Sequence, residues 1–374
     1  MSTGNDKPAR AEVVGSLLQP ERLLQARRER QEGTLPVEEL TKIEDQAVLD
    51  AIALQESVEL DVITDGEMRR PGWADTGRHL DGLEPRQVAR SYPATARTQA
   101  QSQQPPRGLF GPPLTVVGKV TPKPTEQVGE EYPFLVRHAH TRTKYTMAAP
   151  SYHRRYWSDE VSTGAYGSCE EFLRDVRDWL HERAAWLVSQ GCTYIQLDAP
   201  NYGSLCDPVT RQFHADHGHD LDKEIAFDGQ LDSSVFEGLD VTGALHICRG
   251  NTPGGNWHSQ GGYSAIAEQL FPNLDVDVVL LEYDSERAGD FGPLRLIKQG
   301  TVAVIGLLTT KDATLEPASE VEARLREAAA VKPLEELALS TQCGFASAAN
   351  APMSEGEQRA KLALVADTAR HVWA

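Results

Sequence analysis

The sequence lacks the features that place a protein in a membrane or outside the cell. Among its 374 residues no apolar run approaches the roughly 18 needed to cross a bilayer, which excludes a membrane span. The first eleven residues contain no apolar stretch that could act as a secretory signal. Cysteine is scarce, and its five widely spaced residues are an odd number, so we expect no disulfide framework. These absences predict a cytoplasmic protein whose thiols stay reduced or bind a metal.

Positive charge is also in short supply. The chain has 37 Lys and Arg residues against 55 Asp and Glu, and its net charge is -18. Such a surface repels phosphate backbones and anionic lipids, so nucleic acid and membranes are not expected partners. The sequence has no P-loop, no dinucleotide-binding glycine motif between a strand and a helix, and no nucleophile elbow. We expect a small-molecule ligand and leave the oligomeric state open.

Eight short apolar runs bounded by turn residues predict buried strands. They are apolar on both faces, which is typical of a parallel sheet covered by helices. Helical segments alternate with the runs, so we predict a (β/α)8 TIM barrel, with a doubly wound sheet as the alternative. The runs are Glu12–Ser16, Asp61–Asp65, Lys144–Ala149, Tyr194–Asp198, Ala244–Cys248, Val278–Asp284, Val302–Leu307 and Leu337–Thr341.

The helical segments and two long insertions complete the predicted domain, which spans residues 1–374. Insertions are expected at about 82–143, with a possible hairpin strand at Leu114–Val120, and at about 202–240. Two capping boxes are expected, Ser319 with Glu322 and Ser354 with Glu357. The predicted helices are Glu38–Leu60, Cys169–Gln190, Gly292–Gln299, Glu320–Ala330 and a last helix that ends at Trp373.

The most informative pattern is His246-Ile247-Cys248 in the fifth predicted strand. Residues two apart in a strand face the same side, so His246 and Cys248 point into one space. Glu282 ends the next strand, and Cys343 follows the eighth. These four residue types at one rim of a barrel suit tetrahedral Zn²⁺. The alternative interpretation is a packing cysteine and a solvated glutamate.

Carboxylates at strand ends form a second group. Asp65 and Glu67 close the second strand, and Asp198 closes the fourth. They are either turn residues or the binding site for an amino group. Ser16, at the end of the first strand, either donates to a substrate carboxylate or caps a helix. The tract from His214 to His219 is either a metal site or, more in keeping with its acidic surroundings, a solvated surface.

Several segments together resemble the C-terminal catalytic barrel of cobalamin-independent methionine synthases. The segments EVVGSLLQP, VITDGEMRR, YIQLDAP, LHICRGN, LLEYDS and TQCGFAS occur in that family's order, from Glu12 to Trp373. The chain is similar to the shorter, single-barrel branch. The resemblance implies that His246, Cys248, Glu282 and Cys343 bind zinc. It also implies that Val14, Ser16, Glu67 and Asp198 hold the amino acid part of homocysteine or methionine, with Glu67 and Asp198 as the catalytic-site carboxylates.

The resemblance predicts a zinc-dependent methyltransferase that activates homocysteine or a similar thiol as a zinc thiolate. The donor is left open. Synthases of the family carry D-E-P where this chain has Asp198-Ala199-Pro200, and a histidine after the seventh strand where it has Gly306-Leu307-Leu308. Other donors than methyltetrahydrofolate are therefore alternatives. One is an epoxide, which a shorter relative opens with the thiol coenzyme M. The alternatives of another class are a non-catalytic zinc-stabilised binding protein and a decarboxylase of a distantly related barrel.

Overall fold

A computed structural model of the chain describes residues 9–74, 79–89, 91–92, 114–123, 130–252, 255–347 and 350–374. In chain order its strands are β1 (Ala11–Glu12), β2 (Val62–Ile63), β3 (Leu80–Pro85), β4 (Leu114–Pro122), β5 (Arg142–Thr143), β6 (Tyr145–Ala148), β7 (Tyr194–Asp198), β8 (Thr242–Ile247), β9 (Asn251–Thr252), β10 (Asn256–Trp257), β11 (Val278–Glu282), β12 (Val302–Leu308) and β13 (Leu337–Thr341).

Nine of these strands form one parallel sheet in the order β5-β2-β1-β13-β12-β11-β8-β7-β6. Its two ends, β5 and β6, belong to one run that changes partner at Lys144, pairing first with β2 and then with β7. The sheet therefore closes on itself as a barrel with eight strand positions. The predicted TIM barrel is confirmed, each of the eight predicted runs contributes a strand, and the doubly wound alternative is wrong.

Helices flank the barrel. The capping box of the last helix is confirmed, since Ser354 and Glu357 bond reciprocally. The box at Ser319 and Glu322 is wrong, because the helix already begins at Ala318 after Pro317 and has no side-chain cap. The helices are α1 (Glu21–Gln31), α2 (Val37–Ser57), α3 (Glu131–His138), α4 (Cys169–Ser189), α5 (Pro200–Ser204), α6 (Pro208–Asp216), α7 (Leu221–Ser233), α8 (Ala267–Leu270), α9 (Ala318–Ala329) and α10 (Glu355–Val372).

The two insertions contain regular structure of their own. β3 and β4 pair antiparallel as a hairpin in the first, while much of that insertion, including Gln99–Pro106, lies outside the described residues. The second holds α5, α6 and α7 beyond the end of β7. The predicted helix at Gly292–Gln299 is a 3-10 turn over Gly292–Leu296. No helix within the described part of the chain is both long enough and apolar enough to span a membrane.

The barrel interior is apolar in the middle and polar toward the carboxyl ends of the strands. Val62, Leu280 and Val304 belong to a buried cluster of small and aliphatic side chains inside the sheet. A buried ion pair inside the barrel joins Lys144 Nζ to Glu12 Oε2 at 2.5 Å. Because side chains fill this interior, a ligand can enter only at the mouth formed by the loops after the strands. The chemistry-bearing residues lie at that mouth.

Candidate metal centre and substrate site

Three soft ligands converge at the mouth. His246 and Cys248 leave β8 on the same face, and Cys343 follows β13 across the barrel. One ligand atom of each lies within 4.8 Å of the others, and all three side chains are buried. The Cys248 backbone is held by Gly203 of α5, where a Cβ would come within 1.9 Å of the Cys248 carbonyl oxygen. The sequence-predicted pair on β8 thus meets its predicted partner from another strand.

The buried ring of His246 lies beside the Cys343 thiol. Neither Nδ1 nor Nε2 makes a hydrogen bond of ordinary geometry with the described residues. A buried imidazole without a partner is costly, because its polar atoms have lost water and gained nothing. A metal ion held between this ring and two thiolates removes that cost for one nitrogen. The residues present therefore fit a metal that prefers nitrogen and sulfur ligands.

The surroundings of Cys343 favour its thiolate. Against the effect of burial, the neighbouring Cys248 thiol and then His246 hold the pKa of Cys343 well below its ordinary value. Cys343 Sγ also lies 3.1 Å from the Ser347 hydroxyl oxygen. Cys248 Sγ accepts the Gly250 N–H at 3.4 Å. The thiolate is the form in which cysteine binds a metal.

Glu282 is buried at the end of β11 but does not belong to the three-residue group. Its Oε2 accepts the Arg249 backbone N–H at 2.7 Å, and its Oε1 pairs with Arg287 and lies 3.3 Å from Lys311 Nζ. Burial raises the pKa of Glu282, but Lys311 and Arg287 outweigh it and lower the value to about 2. Its role as a fourth metal ligand stays a prediction.

Glu67 and Asp198 are two further buried carboxylates, and their pKa values are raised, whereas that of Glu282 is lowered. Burial raises the pKa of Glu67 to about 7, although Arg70 opposes it, and the Asp198 charge adds to the rise. Burial also raises the pKa of Asp198 to about 6, opposed by His246. Asp198 ends β7, and its position is directly across from His246 on β8. Oδ1 of Asp198 accepts a hydrogen bond from Gln196 Nε2 at 2.7 Å, and Oε1 of Glu67 accepts one from Thr146 Oγ1 at 2.8 Å. The second oxygen of each carboxylate has no hydrogen bond from the described residues.

Ser16 connects the end of β1 with the segment that carries Cys343. The Ser16 hydroxyl accepts the Ala346 N–H at 3.1 Å, and a Cβ on Gly344 would come within 2.2 Å of the same oxygen. Val14 lies lower, in the apolar cluster inside the barrel. Of the four residues predicted to hold an amino acid, Ser16 thus adjoins the Cys343 segment and Asp198 adjoins the His246 strand.

Comparison with known proteins places the chain in a family. No protein-family model matches it. The uncharacterized proteins YxjH and YxjG of Bacillus subtilis (strain 168) are 33% and 32% identical to it, each over 98% of this chain and 95% of their own length. The structure of a candidate vitamin-B12-independent methionine synthase from Listeria monocytogenes matches 99% of this chain and 100% of its own, with a TM-score of 0.74 and 27% identity. The chain belongs to the cobalamin-independent methionine synthase-like family.

A second structure of this family shares the fold. It is a B12-independent methionine synthase from Shewanella sp. W3-18-1 in complex with selenomethionine, and it matches 98% of each chain with a TM-score of 0.71 and 22% identity. A methyltransferase from Methanosarcina mazei also shares the fold, with a TM-score of 0.52 and 16% identity. Both TIM barrel and methionine synthase-like resemblance, expected from the sequence, are confirmed.

Sequence reasoning missed two basic residues at the mouth. Lys311 follows the seventh barrel strand, β12, three residues beyond Leu308, and its Nζ lies 3.0 Å from Asp284 Oδ2. Arg70 is buried behind Glu67 and bonds Thr146. Neither belongs to a periodic pattern or to a spacing typical of ligands. For Lys311 the only signal was its position after the strand where the methionine synthase-like family carries a histidine.

The histidine tract is placed differently from expectation. His214 is buried in α6 and only 3% exposed, so the solvated-surface interpretation is wrong for it. Its ring packs edge-on against His219 and lies beside Tyr92, with ring centroids 5.0 and 6.1 Å apart. These histidines are absent from the group of candidate metal ligands found among the described residues. His214 and His219 therefore pack against Tyr92 of the first insertion, while His217 stays exposed.

Proposed function

We propose that this protein is a zinc-dependent enzyme that transfers a methyl group to the sulfur of homocysteine or a similar amino-thiol. The observation that carries the proposal is the meeting of His246, Cys248 and Cys343 within 4.8 Å, with neither His246 nitrogen making a hydrogen bond of ordinary geometry with the described residues. Two thiolates and an imidazole suit Zn²⁺ better than harder cations. We take residues 1–374 as one catalytic domain.

His246, Cys248 and Cys343 would hold the zinc, with Glu282 as the most labile fourth ligand. A bound zinc ion lowers the pKa of a coordinated thiol, which supplies the nucleophilic thiolate at neutral pH. A carboxylate is the hardest of the four ligands, so it is the one that substrate sulfur displaces most readily. The contacts of Glu282 with Arg287 and Lys311 support this order, because they give its charge a stable place away from the metal.

Glu67 and Asp198 would bind the substrate ammonium. Each has an oxygen that no described residue bonds, and each carries a charge that burial makes costly. An ammonium group placed between them supplies donors and a compensating charge. Ser16 would donate its hydroxyl proton to the substrate carboxylate, and Val14 would pack below the amino acid. This arrangement orients the thiol toward the His246 and Cys248 side of the mouth.

The methyl donor is the least determined part of the reaction. A tertiary amine such as methyltetrahydrofolate needs a proton before it leaves, which requires a placed acid. Ala199 occupies the position of a family carboxylate, and Lys311 is engaged by Asp284 and Glu282. We therefore propose that a more reactive donor is used in preference to the folate, either a methyl donor such as a sulfonium or a methylated corrinoid, or a donor of another alkyl group such as a strained epoxide.

The proposal is tested by zinc analysis together with a panel of thiols and donors. We expect about one zinc per chain and methylation of L-homocysteine that stops when the zinc is removed. Turnover with methyltetrahydrofolate, in mono- and polyglutamate forms, should be weak beside the other donors. A zinc-containing protein that alkylates no thiol with any donor would contradict the enzyme and favour a zinc-stabilised binding protein. Efficient folate turnover would contradict only the choice of donor.

A further inference from the structure

Glu67 is held in a backbone conformation that glutamate seldom adopts. Its φ is +59°, in the left-handed region that disfavours side chains other than glycine. Its backbone N–H donates to Asp65 Oδ1 at 2.9 Å, which closes the turn after β2. On the far side, Gly15 leaves room for the carboxylate, since a Cβ there would come within 2.6 Å of Glu67 Oε1. Strain kept in this way at a ligand-facing residue is a sign of a functional constraint.

A single hydroxyl connects Glu67 to a buried guanidinium. Thr146 on β6 donates its only hydroxyl proton to Glu67 Oε1 at 2.8 Å. The same hydroxyl oxygen then accepts from Arg70 Nη1 at 2.9 Å. Arg70 Nη1 itself stays 3.9 Å from Glu67 Oε1, so the cation and the carboxylate are close without direct hydrogen bonding. This spacing leaves the second carboxylate oxygen, Oε2, without a bond from the described residues.

The guanidinium is fixed from behind by a second carboxylate. Arg70 Nε donates to Glu131 Oε2 at 3.1 Å, and that oxygen also accepts the Tyr145 hydroxyl proton at 2.7 Å. Arg183 donates to the Tyr145 oxygen at 2.6 Å. The Arg70 guanidinium lies over the Tyr145 ring at 4.7 Å. Arg70 is therefore held on three sides, and only 5% of it is exposed.

We propose that Arg70, acting through Thr146, is a positioning residue that favours the ionised form of Glu67 and directs its free oxygen into the mouth, so that the site selects thiols carrying an ammonium group. The inference rests on the proposed function, because it concerns the amino-acid part of the same substrate. It gives Arg70 a role that needs no contact with the substrate, and it explains why this residue is buried.

The electrostatic argument follows from the groups around Glu67. Asp65 from its own turn, Asp198 from β7 and Glu131 behind Arg70 are all acidic, and Arg70 is the cation nearest to Glu67. A direct, two-bond ion pair with Arg70 would occupy both oxygens and exclude an ammonium ligand. Without any cation, burial and the other acids would favour the protonated carboxyl, which binds ammonium poorly. The hydroxyl-spaced arrangement avoids both outcomes.

The test compares L-homocysteine with 4-mercaptobutanoate, which has the same chain and carboxylate but no amino group. Binding of each to the zinc-loaded protein is measured by calorimetry from pH 5.5 to 8.5. The affinity of the wild type for homocysteine should rise as pH rises through about 7, where Glu67 loses its proton. In Arg70→Met the midpoint should move up by about one unit, so the ionised fraction at pH 7 falls from about one half to about one tenth and selectivity falls about fivefold. Affinity for 4-mercaptobutanoate should change less than twofold, by about the error of such comparisons.

Three further variants separate positioning from folding. Arg70→Lys should recover part of the selectivity, and Thr146→Val, which keeps the side-chain shape, should shift the midpoint in the same direction as Arg70→Met. Arg69→Met is the matched control, because Arg69 pairs with Asp45 and stacks on Phe134 instead of facing Glu67. An unchanged midpoint and selectivity in folded Arg70→Met and Thr146→Val would overturn the inference. A wild type that binds neither thiol would instead overturn the proposed function.

Discussion

Glu282, Glu67 and Asp198 are buried carboxylates at the mouth, and they fall into two regions that differ in what compensates them. At the end of β11, Glu282 has an N–H donor and two cations, which lower its pKa to about 2. After β2 and β7, Glu67 and Asp198 have one donor each on a single oxygen, and their pKa values rise to about 7 and about 6. The first region is complete within the protein. In the second, Arg70 reaches Glu67 through the Thr146 hydroxyl, which leaves room for a cation from outside.

The sequence already predicted separate roles for these carboxylates, with Glu282 beside the thiols and with Glu67 and Asp198 at an amino-group site. A region already neutralised by Arg287 and Lys311 has little to gain from an ammonium ligand. A region whose two carboxylates are less fully compensated has more to gain, because a buried charge without a direct partner is costly. His246, Cys248 and Cys343 form a separate set at the same mouth. Under the proposed function, the mouth offers one place for a metal and another for an amino group.

The largest expected effect comes from removing a thiolate. Cys248→Ser or Cys343→Ser should weaken zinc binding by more than about 100-fold, beyond the loss typical of changes around the ligands. Zinc affinity is measured by competition with a chelator. Cys192→Ser is the control, because Cys192 is buried outside the cluster and donates to the Tyr194 carbonyl. Full zinc retention in both ligand variants would contradict the assignment of the metal site.

A smaller effect is expected on the less compensated side. Asp198→Asn should weaken L-homocysteine binding by roughly 10- to 100-fold, the value of a hydrogen bond to a charged group. Zinc content should stay within about twofold of the wild type. Calorimetry and metal analysis on the same preparation measure both. If homocysteine affinity is unchanged, the natural thiol has no amino group and the contrast between the two regions loses its functional meaning.

The smallest effect on the metal is expected at Glu282. Glu282→Gln should lower zinc affinity by about tenfold, less than either cysteine variant, because its carboxylate already bonds Arg249, Arg287 and Lys311. The same change leaves Arg287 and Lys311 with Asp284 as their shared carboxylate partner, so it should reduce the free energy of unfolding by less than the roughly 3–5 kcal/mol typical of breaking a buried pair. Chelator competition and denaturant unfolding separate the two effects. A zinc loss equal to that of Cys248→Ser would show that Glu282 is an equal ligand.

Most of the barrel could be predicted from the sequence, because the apolar runs and turns are local signals. The spacing of two residues between His246 and Cys248 also predicted that they share a face of the strand, and the structure brings their ligand atoms together. Cys343 could be placed beside them only through the topology, in which β13 stands three positions from β8. The run at Lys144–Ala149 was found, while its change of partner at Lys144 depends on the closure of the whole sheet.

Contacts between distant side chains could not be predicted. Arg70 and Thr146 are 76 residues apart, and neither sequence neighbourhood indicates the other. The burial of His214 escaped notice because the buried residues of α6, Thr210 and His214, are themselves polar. Ser319 failed as a cap because Pro317 already starts the helix, which places the serine inside the first turn. Such errors arise where a local motif competes with a constraint from the fold.

The most direct test of the central claim is X-ray absorption at the zinc edge, recorded with and without L-homocysteine. The account predicts two sulfur ligands with nitrogen and oxygen in the free protein, and a third sulfur when homocysteine is added. The Cys192→Ser protein should give the same pair of spectra. A zinc environment that stays unchanged in the presence of saturating homocysteine would contradict the claim that this mouth activates a thiol.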